Sequence, residues 1–351
     1  MQKREIIKDF FSKHNNLVSL AQYIDFCLYS EHGFYNSNNA FGKSGHFVTA
    51  PEISSAFSAC VAIYLANYVL QNNKTEFEII EIGSGNGLFL SEIISIFRTF
   101  NINDVDFISI EKSQYNRNLL FKKFNHNVEI FENISDAIEA KKNKQKIFIS
   151  NELLDAYPID QYRKNGNNYE KCFIKYDQQT NILSQEYIKD FDHQSLSNYI
   201  NSNPNEKQGS IIEYSDFAIE DFHKICNIVN NNGGAILFFD YGYIAECLNQ
   251  STLQAINNHS KCNIFLLPLE ADITHLVNFN HFIKIGQRFN NLKQSFLSTQ
   301  NNFLLQNGLR EIVENYISNE RSIEKKRDIE ASTSRLFAMD NFFALGLFFR
   351  C

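Results

Sequence analysis

Residues 77–94 read FEIIEIGSGNGLFLSEII. An apolar run, Phe77–Ile82, is followed by glycines on alternate positions, Gly83, Gly85 and Gly87, and then by apolar residues at helical spacing. This order predicts a buried strand, a tight turn and a helix. Because glycine allows positive φ angles and a close approach of the backbone to a ligand, the turn is a candidate nucleotide-binding site.

Strands and helices continue to alternate after this stretch. The strand-like segments are VDFISIE, VEIFE and KIFISN, and the helix-like segments are LFLSEIISIFRTF, QYNRNLLFKKF and SDAIEAKK. Such alternation is typical of right-handed crossover connections and a parallel sheet. The pattern returns at DFHKICNIVNNNGGAILFFDYGY. We therefore predict an α/β fold with a Rossmann-like sheet.

The chain divides into four segments by composition. Residues 1–72 carry apolar residues at helical spacing around a loop rich in Gly, Asn and Ser, which predicts a helical N-terminal extension or lid. Residues 73–160 form the ligand-binding Rossmann-like half. Residues 161–215 are an inserted hairpin and loop segment, with a turn predicted at NGNN. Residues 216–351 hold the remainder of the core with substrate-side insertions.

The composition argues against several classes of protein. The chain has 351 residues, 44% hydrophobic and 21% charged, with a net charge of −7, as in soluble globular proteins. An acidic chain does not favour nucleic acid or an anionic membrane, and its apolar stretches are too short to span a bilayer. The seven cysteines form no CxxC motif, so we expect buried thiols and no metal. The first residues resemble neither a secretory signal nor a transit peptide, which predicts a cytoplasmic protein.

The spacing of the glycines decides between two cofactors. A dinucleotide-binding G-x-G-x-x-G motif needs a glycine at position 88, where this chain has Leu88. The NAD dehydrogenase interpretation therefore fails on spacing. The E-x-G-x-G-x-G form instead resembles the first motif of class I S-adenosylmethionine (SAM)-dependent methyltransferases. In that motif the acidic residue, here Glu81, helps to hold the amino group of the cofactor.

Polar residues follow the later strands, at the edge where an open parallel sheet binds its ligand. The strand after the glycine turn should end in a carboxylate that accepts the ribose hydroxyls, and Glu111 follows VDFISI. Glu132, or the backbone beside it, could meet the adenine. The next strand ends at Asn151 in SNELLDAYP.

The same SNELLDAYP segment indicates the methyl acceptor. Methyltransferases that act on nucleic-acid bases carry paired prolines and an aromatic ring here to hold a flipped base, and these are missing. Glu152 and Asp155 are three residues apart, so they share a face if a helical turn forms. Two carboxylates suit a cationic acceptor, above all a guanidinium, which must be held and lose a proton as the methyl group moves. Alternatively, Glu152 caps the helix and Asp155 supports a loop.

Several blocks together resemble the MidA family. They occur in order from about residue 19 to the C-terminal RLFAMDNFFALGLFF, and they are SEHGFY, FGKSGHFVTAPEIS, EIGSGNG, NELLDAYP, GGAILFFDYGY, TLQAINNHS, EADITHLVNF and FLLQNGL. The family includes the mitochondrial protein-arginine methyltransferase that helps to assemble respiratory complex I. The resemblance implies a class I SAM methyltransferase sheet with a helical N-terminal extension and inserted α+β segments.

The resemblance also implies roles for particular residues. SAM would be the cofactor, and the substrate would be an arginine of the complex I subunit that helps to form the quinone site. The residues expected to hold the cofactor are Glu81, Gly83, Gly85, Gly87, Glu111, Glu132 and Asn151, with Thr49, Pro51, Glu52 and Ser54 closing the pocket from the N-terminal side. The acids expected nearest the acceptor are Glu152, Asp155 and Asp240.

The chain departs from the family pattern at His46, which stands in FGKSGHF where the family usually has an acid. We interpret this histidine as a loop contact, with a catalytic base as the alternative, and expect that departures of this kind could shift the acceptor preference. The acceptor could also be a small amine, a lysine or another nitrogen, since carboxylates suit any cation. A non-catalytic assembly factor that keeps the fold to bind a complex I subunit is a further alternative. Glu81, Glu111 and the three glycines argue against it.

Overall fold

The chain forms two compact units, each assembled from separate stretches of sequence. The computed structural model describes residues 2–37, 48–72, 76–140, 144–189, 207–245, 247–339 and 341–349. Unit 1 comprises residues 1–38, 154–220 and 243–281, and unit 2 comprises residues 39–153, 221–242 and 282–351. The boundaries of the four segments predicted from composition differ from the boundaries of these units.

The described residues contain the following helices and strands. The helices are α1 (Gln2–Ser12), α2 (Leu20–Tyr29), α3 (Phe34–Ser37), α4 (Ala50–Ile53), α5 (Ser55–Gln71), α6 (Leu88–Thr99), α7 (Gln114–Phe124), α8 (Ile134–Ala140), α9 (Asp216–Asn232), α10 (Phe279–Gly286), α11 (Gln300–Gln306), α12 (Leu309–Asn319) and α13 (Ile323–Phe337), with a 3-10 turn at Leu154–Ala156. The strands are β1 (Leu17–Ser19), β2 (Phe77–Ile82), β3 (Val105–Ile110), β4 (Glu129–Phe131), β5 (Gln145–Asn151), β6 (Asp160–Asn165), β7 (Asn168–Asp177), β8 (Ile182–Ile188), β9 (Ile211–Tyr214), β10 (Gly234–Tyr243), β11 (Gln254–Asn257), β12 (Ser260–Cys262), β13 (Asp272–Thr274), β14 (Val277–Asn278), β15 (Leu292–Thr299) and β16 (Phe342–Phe349).

The sheet of unit 2 has the strand order β4-β3-β2-β5-β10-β16-β15. Parallel pairs join β4 to β3, β3 to β2, β2 to β5 and β5 to β10, whereas β16 is antiparallel to both of its neighbours. From β2 the chain passes outward to β3 and β4, and it returns to the other side of β2 at β5. The carboxyl ends of β2 and β5 therefore form a topological switch point, where such sheets bind ligands. The predicted α/β fold is confirmed.

The centre of unit 2 is a continuous apolar layer around β2. All six residues of β2 are buried, as expected for a strand with parallel neighbours and helices on both faces. The layer also contains Glu78 of β2, whose carboxylate lies 2.5 Å from the ammonium group of Lys146 on β5. Both side chains are fully buried, so each charge depends on the other.

Local signals explain the limits of several helices. The hydroxyl of Ser113 accepts the amide of Asn116, and α7 ends where Asn125 takes a left-handed conformation; its bounds are those of the segment QYNRNLLFKKF. Ser19 and Gln22 form a capping box at the start of α2. None of the helices in the described ranges is both long and apolar enough to cross a membrane.

Unit 1 is built on antiparallel strands. The hairpin predicted at NGNN is confirmed, since β6 and β7 pair with Asn165 opposite Asn168 and Gly166 has a φ of 60°. β7 also pairs with β1 and β8, and β6 with β9. A separate small sheet has the order β12-β11-β13.

Candidate functional site

The glycine turn lies at the carboxyl end of β2, beside the switch point. Gly83, Gly85 and Gly87 have φ angles of 73°, 52° and 70°, in the left-handed region that favours glycine. A Cβ atom at Gly87 would lie 2.6 Å from Cδ2 of Leu120. The backbone conformation and the close packing both explain why glycines stand here.

Glu81, the acid that precedes the turn, is 3% exposed. Among the described residues, its Oε2 atom has no hydrogen-bond partner. Burial raises the pKa of this carboxyl to about 8. On the adjacent strand β5, Oδ1 of Asn151 is also buried without a partner in the described part of the chain. Two unsatisfied acceptor atoms at the switch point fit the ammonium group of the cofactor that the resemblance implies.

Glu111 follows β3 and holds the glycine turn in place. Its Oε2 accepts the amide of Gly85 and its Oε1 accepts the amide of Ser113, both at 2.8 Å. Burial raises the pKa of Glu111, and the bonds from Ser113 and Gly85 oppose the rise. Each carboxylate oxygen can accept a second bond, so this side chain fits the ribose hydroxyls.

Glu132 follows β4 and has a different environment. Its side chain is 60% exposed and lies 3.0 Å from Nη2 of Arg117. Arg117 also donates to the carbonyl oxygens of Glu111 and Lys112, so it joins the ends of β3 and β4. Sequence reasoning missed Arg117, because an arginine inside an amphipathic helix carries no signal of this contact.

Glu152 lies directly after β5 with an unusual backbone. Its φ of 49° is left-handed, a conformation that is costly for residues other than glycine and occurs often at functional sites. Its amide donates to the carbonyl of Phe239 at 2.9 Å. Its Oε1 accepts the amide of Ala50 at 3.1 Å and Nδ2 of Asn151 at 3.2 Å. The helical turn on which Glu152 and Asp155 would share a face does not include Glu152, because the 3-10 turn begins only at Leu154.

Asp240 lies on the adjacent strand β10 and fixes the backbone directly after Glu152. Its side chain is fully buried. Oδ2 accepts the amide of Leu153 at 3.1 Å, and Oδ1 accepts the amide of Tyr241 at 2.9 Å. The first of these bonds joins Asp240 to Leu153, the residue after Glu152. Direct contact of Asp240 with an acceptor stays a prediction.

The residues predicted to close the pocket lie on α4 and its flanks. Thr49 caps α4, Pro51 lies in its first turn, and Ser54 caps α5 by accepting the amide of Ala56. Oε2 of Glu52 accepts the amide of Thr49 at 3.1 Å. Its Oε1 accepts Nδ2 of Asn86 at 2.9 Å, and this bond joins α4 to the glycine turn.

Asp155 belongs to unit 1, where it is part of a buried acidic pair. Tyr35 donates its hydroxyl to Oδ1 of Asp272 at 2.9 Å. Burial, together with the charge of Asp155, raises the pKa of Asp272 to about 7. The carbonyl of Asp155 accepts the amide of His275 at 3.2 Å. The catalytic role of Asp155 stays a prediction, and His46 lies outside the described residues.

Comparisons with known proteins identify the family of this chain and similar structures. A family model described as "Putative S-adenosyl-L-methionine-dependent methyltransferase" matches residues 60–296. The mitochondrial "Protein arginine methyltransferase NDUFAF7 homolog" of Caenorhabditis elegans is 22% identical over 75% of this chain and 67% of its own length. The mitochondrial "Protein arginine methyltransferase NDUFAF7" of Danio rerio is 21% identical over 81% of this chain and 72% of its own length.

Two solved structures share the fold over nearly the whole chain. A protein from Burkholderia thailandensis, bound to S-adenosyl-homocysteine, has a TM-score of 0.82 at 17% identity and covers 98% of this chain and 91% of its own. A native structure from the same organism has a TM-score of 0.80 at 16% identity, with the same coverage.

Proposed function

Because this chain belongs to the MidA-like family of S-adenosyl-L-methionine-dependent methyltransferases, we propose that it methylates a protein arginine, in a respiratory complex I subunit of the quinone site, during assembly. The general activity, SAM-dependent methyl transfer, follows from membership of the family. The arginine and the complex I subunit are the substrate that we propose.

One observation carries the proposal: the carboxylate of Glu152 stands after β5 on a left-handed backbone. A non-glycine residue holds such a conformation only where its surroundings impose it. The amides of Glu152 and Leu153 are both fixed by β10, at Phe239 and Asp240. The sequence therefore keeps a carboxylate, rather than glycine, at a strained position beside the switch point.

The chemistry of arginine methylation assigns roles to these carboxylates. Bound SAM would supply an electrophilic methyl group. Arginine stays protonated in water, with a pKa above about 12, so an ionised carboxylate must hold its guanidinium and accept the proton that the nitrogen loses as the methyl group moves. Glu152 would hold the guanidinium, while Glu81 and Glu111 would hold the amino group and ribose of the cofactor. Electrostatic orientation and proximity would provide most of the rate.

The relatives support the acceptor class by name alone. Those of Caenorhabditis elegans and Danio rerio are named protein arginine methyltransferases, at about one fifth identity. The names of these relatives include the word mitochondrial, whereas a cytoplasmic location stays our prediction for this chain.

The test uses the full chain, co-expressed with the complex I subunit that forms the quinone site. Mass spectrometry of that subunit should show methylated arginine with the wild type. Glu152→Gln keeps the size of the side chain and removes its charge. We expect it to lower turnover by about a hundredfold, through loss of a charged contact in the transition state. Gly85→Asp, which places a side chain in the cofactor turn, should abolish binding of S-adenosylhomocysteine.

The outcomes separate the alternatives. Full turnover in Glu152→Gln would show that Glu152 does not hold the acceptor. If the protein binds the cofactor but methylates a lysine or a small amine, that group and not arginine is the acceptor. If the wild type bound no S-adenosylhomocysteine in calorimetry, the non-catalytic assembly factor would become the better account.

A further inference from the structure

Asn86 lies between Gly85 and Gly87 of the glycine turn and takes part in three hydrogen bonds. Its Nδ2 donates to Oε1 of Glu52 at 2.9 Å. Its Oδ1 accepts the amide of Leu88 at 3.0 Å, and its carbonyl accepts Nζ of Lys123 at 3.0 Å. The side chain therefore faces α4 with its donor atom and the start of α6 with its acceptor atom.

Glu52 uses both of its oxygens within this arrangement. While Oε1 accepts from Asn86, Oε2 accepts the amide of Thr49 at the start of α4. One residue further, the amide of Ala50 donates to Oε1 of Glu152. Hydrogen bonds therefore join the first turn of α4 both to the glycine turn, through Glu52, and to the Glu152 carboxylate, through Ala50.

We propose that Asn86 and Glu52 are positioning residues, which fix the Glu152 carboxylate relative to the cofactor turn through α4. The inference rests on the proposed function in one respect, that Glu152 faces the acceptor. It assigns no direct ligand contact to Asn86. If the bond between Asn86 and Glu52 breaks, α4 is no longer held to the glycine turn, and the Glu152 carboxylate loses the fixed position of one of its two donors, the amide of Ala50, while Nδ2 of Asn151 remains.

Reversing the polarity of this bond provides the test. Asn86→Asp keeps the oxygen that accepts the amide of Leu88, but it places a second oxygen opposite Glu52 in place of the NH₂ donor. Glu52→Gln keeps the oxygen that accepts the amide of Thr49, but it places an NH₂ group opposite the NH₂ group of Asn86. Each single variant breaks the bond. The double variant, Glu52→Gln with Asn86→Asp, restores it with donor and acceptor exchanged.

Two measurements are made on the wild type, the two single variants and the double variant. The first is hydrogen exchange of the amides of Thr49, Ala50, Glu52 and Ile53 with S-adenosylhomocysteine bound, which does not depend on the acceptor. We expect about tenfold faster exchange in each single variant and recovery in the double variant, as loss and return of one charged hydrogen bond would give. The second is methyl transfer, where kcat should fall about tenfold in each single variant and recover in the double variant.

The results distinguish the inference from the proposed function. Unchanged exchange and unchanged kcat in Asn86→Asp, or no recovery in the double variant, would overturn the positioning role. If Glu152→Gln impairs methylation while neither single variant does, the proposed function holds and the inference fails. If none of the four proteins methylates an arginine, the hydrogen-exchange data still decide whether the bond between Asn86 and Glu52 fixes α4.

Discussion

Replacing Gly87 by alanine should destabilise the protein in two separable ways. Gly87 precedes α6 with φ 70° and ψ 21°, and the left-handed backbone costs an alanine about 1–2 kcal/mol. Its Cβ would lie 2.6 Å from Cδ2 of Leu120 and 3.0 Å from the ring of Phe124. Both side chains are buried, so overpacking adds about 1–3 kcal/mol. We expect a total of about 2–5 kcal/mol.

Gly308 provides a matched control in the same unit. It precedes α12 with φ 86° and ψ 20°, and the nearest atom to its Cβ would be Oε2 of Glu311 at 3.9 Å. Gly308→Ala should therefore cost only the backbone term, about 1–2 kcal/mol. Chemical denaturation of both variants measures the difference, and calorimetry with S-adenosylhomocysteine should show weaker binding in Gly87→Ala alone. Equal losses of stability with unchanged binding would refute the packing argument.

Three further changes test the charged groups. The carboxyl of Glu81, with a pKa of about 8, must lose its proton before it pairs with an ammonium group, so affinity for S-adenosylhomocysteine should fall up to about tenfold per unit as pH drops below 8. Calorimetry should show that this dependence disappears in Glu81→Gln. The folded state holds a proton on Asp272 up to about pH 7, above the usual value of 3.8. The free energy of unfolding should therefore fall as pH rises between these values, and urea titrations should show a shallower fall in Asp272→Asn. Lys146→Met leaves Glu78 buried without its ammonium partner and should cost about 3–5 kcal/mol in the same assay, much of which the added change Glu78→Leu should recover.

Local sequence patterns predicted most of the elements of the unit 2 sheet. The alternation around the glycine turn determined β2, α6, β3 and α7, because a continuous apolar run and a helical period differ clearly. The position of β16 could not be predicted. An apolar segment such as FFALGLFF is compatible with any neighbour, and it pairs between β10 and β15 only because the tertiary structure selects that place.

The site was predictable where chemistry requires a residue type, and less so where geometry decides. Glycines at Gly83 and Gly87 and an acid at Glu81 follow from the turn itself. The left-handed backbone of Glu152 was not predictable, because glutamate has no preference for it. The partnership of Asn86 with Glu52 was also missed, although a polar residue between two glycines was a signal that could have suggested it.

The distribution of the two units along the chain has a consequence for synthesis on the ribosome. The chain passes from one unit to the other after residues 38, 153, 220, 242 and 281. A nascent chain therefore contains all of unit 1 only when residue 281 has been made, and all of unit 2 only at residue 351. Since domains generally fold as units during translation, an early segment such as α5 must wait for a late partner such as α12, which packs against it. Growing chains of this protein should therefore expose apolar surface for longer than those of a protein whose domains are contiguous, and should depend more on chaperones.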